Sequence, residues 1–245
     1  MAGIGPDPGD ILFVVVDVLS FTTSVSVAVD RGIEGFPFPW RDERAADHAA
    51  RHGATLARAR SERDVSLSPA SLRDAPGLAR VVLPSPNGST ISLSLSEDGG
   101  AVVAACLRNA AAVGAYVTGF LDGDPGHVVA VVAGGERWPD GSLRPAVEDL
   151  WGAGAVLAAI EGHADDLSPE AEVAVAAFVS ACAGPAGRDG PAALRDRLGR
   201  CVSGRELVDQ GFGFDVEIAA ELDGSHLVPV LVEGRFVGCR GGEVR

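Results

Sequence analysis

Six consecutive apolar residues, Ile11-Leu12-Phe13-Val14-Val15-Val16, end abruptly at Asp17. A strand with one wet face alternates apolar and polar side chains, and this run does not alternate. It reads as a strand buried on both faces, in a parallel or mixed sheet covered by helices. Shorter strands are expected at Arg80 to Leu83, Ala101 to Ala105 and Val128 to Ala133, with a terminal hairpin of Val228 to Val232 and Arg235 to Val237 about Glu233-Gly234. Helical patterning fills the intervals: Thr22 to Asp30, Arg41 to Arg60, Asn109 to Gly119, Ala146 to Glu161, Glu170 to Ala183 and parts of Arg195 to Gln210. Phe214 to Leu222 fits a helix or a strand. The Gly/Pro-rich stretch from Ala183 to Pro191 reads as a surface loop. Strands alternating with helices make the class α/β, a mixed or parallel sheet flanked by helices. A chain of 245 residues can bury its own core as one compact unit, or as two intimately packed subdomains.

Charge narrows the partners. The net charge is −14, and all 20 basic residues are arginine. An acidic surface argues against nucleic acid and anionic membranes, both of which are negative. An anionic small ligand would need a local positive patch or a bound metal. The four cysteines, Cys106, Cys182, Cys201 and Cys239, show no CxxC or metal-type spacing. Scattered thiols suit a reduced, cytoplasmic setting. The apolar run at residues 11–16 is far too short to span a bilayer. A homodimer is compatible with a small α/β protein, though no motif specifies one.

Four expected strands run into polar or glycine-rich turns: Asp17, Asn87-Gly88-Ser89-Thr90, Cys106-Leu107-Arg108-Asn109 and Gly134-Gly135-Glu136. Ligands of open α/β sheets bind at the carboxyl ends of strands, so convergence of these turns says more than any one alone. Asp17, followed by Ser20, Thr22 and Thr23, fits a helix N-cap. It also fits an anion or metal site, where hydroxyls and amides at a helix start hold phosphate oxygens. Asn87-Gly88 is a turn signal, and equally a backbone cradle. Glu136, Glu148 and Asp149 suit either a helix start or the hard-oxygen demand of Mg²⁺. Adjacent Glu148 and Asp149 point in different directions on a helix, so only one of them can face a site squarely. His48 and His52 have i, i+4 spacing but lack a supporting metal motif, and they read as solvated surface residues. The chain contains neither a GxSxG elbow nor a complete phosphate-binding GxxxxGK[ST] loop.

Several strings occur together in a telling order. They are Asp17-Val18-Leu19 with Thr22-Thr23, Asn87-Gly88-Ser89, Asn109-Ala110, the run from Glu148 to Ala155, Ser203 to Leu207, Gly211, Asp215-Val216 and Leu222-Asp223. Over roughly residues 10 to 232 the chain resembles the 2-phosphosulfolactate phosphatase family. The resemblance implies an α/β, Mg²⁺-dependent phosphatase that converts 2-phosphosulfolactate to sulfolactate and phosphate, a step towards coenzyme M. Two positions depart from the family pattern. An arginine usually follows Asp-Val-Leu, where this chain has Ser20. A small Gly-Ser-type turn usually precedes Asn-Ala, where this chain has Cys106-Leu107-Arg108. The paired loss and gain suggest that Arg108 restores the missing guanidinium.

The expected site follows. Mg²⁺ falls to Asp17, Glu136 and one of Glu148 or Asp149, with Asp17, Glu136 and Asp149 as the catalytic set. A small anionic phosphate ester is held by Ser20, Thr22, Thr23, Asn87, Gly88, Ser89, Thr90, Arg108 and Asn109. Metal-bound water and Asp17 itself are both available nucleophiles. The alternatives are a phosphatase for another small acidic ester, which the Ser20 and Arg108 departures favour, and an inactive relative that binds a small anion.

Overall fold

The computed structural model describes residues 8–40, 42–62, 64–163, 166–184 and 190–240. In chain order the elements are β1 (Ile11–Val16), α1 (Phe21–Asp30), β2 (Glu34–Phe38), α2 (Glu43–His52), β3 (Thr55–Leu56), α3 (Pro69–Arg73), β4 (Arg80–Pro84), α4 (Gly88–Glu97), β5 (Ala101–Ala105), α5 (Ala110–Leu121), β6 (Val128–Ala133), β7 (Glu136–Arg137), β8 (Leu143–Arg144), α6 (Val147–Ala158), α7 (Pro169–Cys182), α8 (Pro191–Leu198), α9 (Val202–Asp209), α10 (Gly213–Ala219), β9 (Leu227–Val232) and β10 (Arg235–Arg240).

Eight strands form one mixed sheet in the order β3-β4-β2-β10-β9-β5-β1-β6. β1 lies parallel to both β5 and β6. β2, β3 and β4 form a second parallel block. The antiparallel hairpin β9–β10 joins the blocks through antiparallel contacts to β5 and β2. Three antiparallel steps invert direction three times, so the two parallel blocks run in opposite senses. The α/β class expected from sequence is therefore present. The expectation of four carboxyl ends along one edge holds strictly only for β1, β5 and β6.

Local sequence explains the elements. The buried pattern of β1, with Leu12, Val14, Val15 and Val16 fully inaccessible, requires cover on both faces. One apolar cluster joins β1 and β5 to α5 and α6, and a second joins α1 to β4 and β10. Asp42 caps α2 by accepting from the Arg44 amide, and Gly53 ends it in a left-handed conformation. Ser68 caps α3 and Ser168 caps α7, each followed by a proline in the first turn, which has no amide hydrogen to leave unpaired.

The differences from expectation have causes. The expected helix from Arg41 to Arg60 stops at His52, because Gly53 is followed by an edge strand, β3. β2 reads Glu-Gly-Phe-Pro-Phe, and its glycine and proline hid the strand from a propensity reading. The serine-rich α4 begins at Gly88, inside what reads as a turn. Residues 214–222, open between helix and strand, are largely the helix α10. The expected loop from Ala183 to Pro191 lies mostly outside the described residues.

Candidate active site

The turn after β1 is built around its own aspartate. Asp17 is 5% exposed. Its Oδ1 accepts from the Phe21 amide at 3.2 Å, and its Oδ2 accepts from the Gly88 amide at 3.0 Å. The main chain is locked by Thr22: its hydroxyl donates to the Asp17 carbonyl at 2.7 Å and accepts from the Asp17 amide at 3.0 Å. Thr23 likewise donates to the Val18 carbonyl at 2.7 Å. Both threonine hydroxyls, expected at the ligand rim, are used by the turn itself.

Gly88 arrives from the oppositely directed block, carried by α4, which packs on β2, β5 and β1. A Cβ at this position would lie 2.7 Å from Asp17 Oδ2 and overlap the Phe21 ring. The Asn-Gly dipeptide therefore serves close approach to a carboxylate, beyond making a turn. Asn87 donates through Nδ2 to Glu136 Oε2 at 2.9 Å. Ser89 donates to the Leu83 carbonyl at 2.9 Å, which anchors the start of α4. Thr90 is half-buried one residue on.

Asp149 closes the group from α6. Its Oδ1 accepts from the Val18 amide at 2.7 Å, and its Oδ2 accepts from the Gly135 amide at 2.8 Å. One carboxylate thus pins the turn after β1 to the turn after β6. Glu148 is equally buried; its charge adds to the repulsion on Asp17, Glu136 and Asp149, and it also acts on the Cys201 thiol at the start of α9. Burial, with Glu148 next, pushes that thiol up to about 12. Gly152 lets α6 come this close, since a Cβ there would stand 2.7 Å from side-chain atoms of both Val16 and Val18.

The electrostatics are those of crowded buried acids. Burial, then repulsion from Glu136, raises Asp17 to about 7, against amides of Phe21 and Gly88 that pull it down. Burial followed by the Asp17 charge raises Asp149 well above the carboxylate range. Burial raises Glu136 as well, despite the Asn87 amide and the nearby Arg144. Arg144 faces Glu136 across the small β7–β8 ribbon and forks onto Glu206 at 3.0 and 3.2 Å.

Two expected ligand-binding residues are committed elsewhere. Arg108 donates from Nη1 to Ser26 and to Asp30 Oδ2, both at 3.0 Å, and from Nε to Glu221 at 3.1 Å. Those partners lie along α1 to its far end and after α10, so Arg108 does not restore a guanidinium beside Ser20. Asn109 accepts from the Cys106 amide at 2.8 Å and donates to the Ala104 carbonyl at 3.1 Å, tying β5 to the turn that follows it. The guanidinium at Ser20 belongs to Arg60, whose Nη2 donates to Ser20 Oγ at 2.8 Å. Asp215, 1% exposed, holds Arg60 through Nε at 3.1 Å. No sequence signal singled out Arg60, which falls at the end of the segment read as a long helix.

Fold and site define a class first: an α/β protein with a centre of buried carboxylates at strand ends, suited to hydrolytic chemistry on a small ligand. The particular family follows from comparison with known proteins. The model of a family described as 2-phosphosulpholactate phosphatase matches residues 6–234, and the chain belongs to that family. It is a phosphatase, a phosphoric monoester hydrolase. A protein of Methanothermobacter thermautotrophicus strain Delta H, named 2-phosphosulfolactate phosphatase, is 27% identical over 232 residues, covering 93% of this chain and 90% of that one. Among the described residues, no helix is long and apolar enough to cross a membrane.

Proposed function

We propose that the chain hydrolyses 2-phosphosulfolactate to sulfolactate and phosphate in a Mg²⁺-dependent reaction. The observation that carries this reading is the Asp17–Glu136–Asp149 group at the junction of three turns. Its donor set fits Mg²⁺: hard carboxylate oxygens, packed until burial and mutual repulsion raise their proton affinities. Among the described residues, no group of three or more His, Cys, Asp or Glu side chains is arranged to surround a metal ion. Mg²⁺ commonly takes one or two carboxylates and keeps several waters, so a pair suffices. Asp17 and Glu136 are that pair. Asp149 ties the turn after β1 to the turn after β6 through the Val18 and Gly135 amides.

Bound there, Mg²⁺ would offset the charge of the phosphoryl group and polarise it. The chain's own residues do the rest. Asn87 holds Glu136 by its carboxylate, leaving Glu136 Oε1 directed by that contact. The Phe21 and Gly88 amides fix both oxygens of Asp17. Phosphoryl transfer depends chiefly on such positioning and on charge neutralisation. Asp17 is also the group available for attack on phosphorus, an alternative to water.

One observation favours a second reading. Ser20, where family members usually carry arginine, alters the cationic contact beside Asp17, which suits a phosphatase for a related acidic ester. Phosphate release from a panel of small acidic esters, with Mg²⁺ and with EDTA, separates the two. Turnover of 2-phosphosulfolactate that EDTA abolishes supports the first reading. Turnover confined to another ester supports the second. Absence of release from every ester overturns both.

A further inference from the structure

Arg60 is held more tightly than an arginine with a purely surface role. Nε bonds Asp215 Oδ2 at 3.1 Å, and Nη2 bonds both Ser20 Oγ and the Leu67 carbonyl at 2.8 Å. The guanidinium also lies 5.7 Å from the centre of the Phe212 ring. Asp215 is fixed in turn by Ser68 Oγ at 2.5 Å and the Ala70 amide at 3.3 Å. One end of the fork is thus bound, while Nη1 has no hydrogen-bond partner among the described residues. The side chain keeps 19% of its surface accessible. It lines a cavity of about 280 Å³ together with Arg58, Leu67, Pro84 and two carboxylates, Asp42 and Glu62.

A fork with one edge on a carboxylate and another nitrogen open is prepared for a second oxyanion. Ser20 stands three residues after Asp17, so through its bond to that serine Arg60 reaches the turn that carries the acidic centre. We propose that Arg60 is the specificity residue, and that it binds a carboxylate or sulfonate carried on the same carbon skeleton as the phosphate ester. This rests on the phosphatase reading above and deepens it. It also gives a local cation to a chain whose net charge is −14.

The test compares three esters of related skeleton: 2-phosphosulfolactate, 2-phospholactate, which lacks the sulfonate, and isopropyl phosphate, which lacks both acid groups. In Arg60→Met, selectivity for acid-bearing over acid-free ester, as a ratio of kcat/KM values, falls about 10–100-fold, the range of a lost charged hydrogen bond. The loss sits mainly in KM. Loss for both acidic esters assigns the carboxylate to Arg60, and loss for 2-phosphosulfolactate alone assigns the sulfonate. An unchanged ratio, with kcat/KM down equally for all three esters, makes Arg60 structural and overturns the proposal. Should Arg60→Met not fold, Arg60→Lys decides by the same ratio, since it keeps the charge and loses the fork. Should the wild type turn over none of the esters, the phosphatase reading fails separately. Calorimetric binding of sulfolactate to wild type and to Arg60→Lys then reads the subsite directly, and equal affinity overturns it.

Discussion

Replacing Asp17 with asparagine should remove activity and, in alkaline metal-free buffer, make the protein more stable. The buried carboxyl of Asp17 is raised from 3.8 to about 7 by burial and then by Glu136. Its folded-state value lies above its unfolded value, so the sign is that of a destabilising ionisation. Below pH 3.8 both states hold the proton and the group contributes nothing. Between 3.8 and about 7 the unfolded chain releases its proton first, and stability falls as pH rises. Above that window the whole penalty is present. Integrated from pH 5.5 to 8, the wild type loses about 2 kcal/mol through this one group. The side-chain amide of the Asp17→Asn variant has no such dependence. That variant does lose one acceptor for the Phe21 or Gly88 amide, a pH-independent cost of about 1–3 kcal/mol. The midpoint difference, Asp17→Asn minus wild type, should therefore grow by about 4–8 °C between pH 5.5 and 8 for a chain of this length. Thermal unfolding followed by circular dichroism in EDTA measures it. Parallel curves for the two proteins across that range, or a gap that narrows as pH rises, would refute the account of Asp17 as a strained buried acid.

Other outcomes follow from the same contacts. Mg²⁺ at a hundredfold excess over its Kd should stabilise the wild type by about 2.7 kcal/mol at pH 8. It should do less at pH 5.5, where it competes with protons on Asp17, and little in Glu136→Gln, as differential scanning fluorimetry would register. Gly88→Ala forces a Cβ against Phe21 and Asp17 Oδ2. It should cost about 1–3 kcal/mol in urea unfolding and lower kcat as the Asp17 carboxylate is pushed aside. Arg108→Met leaves Asp30 without its cation and Glu221 with Arg73 alone. A loss of about 1–4 kcal/mol is expected in denaturant unfolding, with kcat/KM of the folded enzyme unchanged. A selective rise in KM would instead return Arg108 to the substrate.

The parts of this molecule legible in its sequence are those set by local pattern. Ile11–Val16 announces a doubly covered strand because no polar residue interrupts it; Val128–Ala133, equally uninterrupted, is a strand at the sheet edge with its residues only partly buried. Asp17 is legible because a carboxylate at the end of such a strand must find partners. Glu34–Phe38 is not legible. Its Gly35 and Pro37 oppose a strand locally, and only pairing with β4 and β10 makes one. Nor does sequence show that the β9–β10 hairpin enters the middle of the sheet and reverses one parallel block against the other. The roles of Arg60 and Arg108 depend on that long-range arrangement. Both are arginines in polar segments, and only their partners, Ser20 with Asp215 against Asp30 with Glu221, separate them.

The acidity of the chain and the anionic nature of a phosphate ester pose one electrostatic problem, and the site meets it locally. Every carboxylate oxygen of Asp17 and Asp149 accepts a backbone amide. Those four bonds hold the acids in place, yet burial and repulsion still outweigh them, since both acids are raised. A site at rest in this condition has unmet demand for positive charge. A substrate phosphate would worsen it, and a proton or a cation entering with or before the substrate would relieve it. Arg60 is half neutralised by Asp215 and stands beyond Ser20, too committed to serve the carboxylates and better placed for a distal acid group. The division of labour is then a consequence of charge. On the proposed reading a divalent cation would answer to Asp17 and Glu136, and the arginine to whatever second acid the substrate carries. An ester with no such group should bind through the first contact alone.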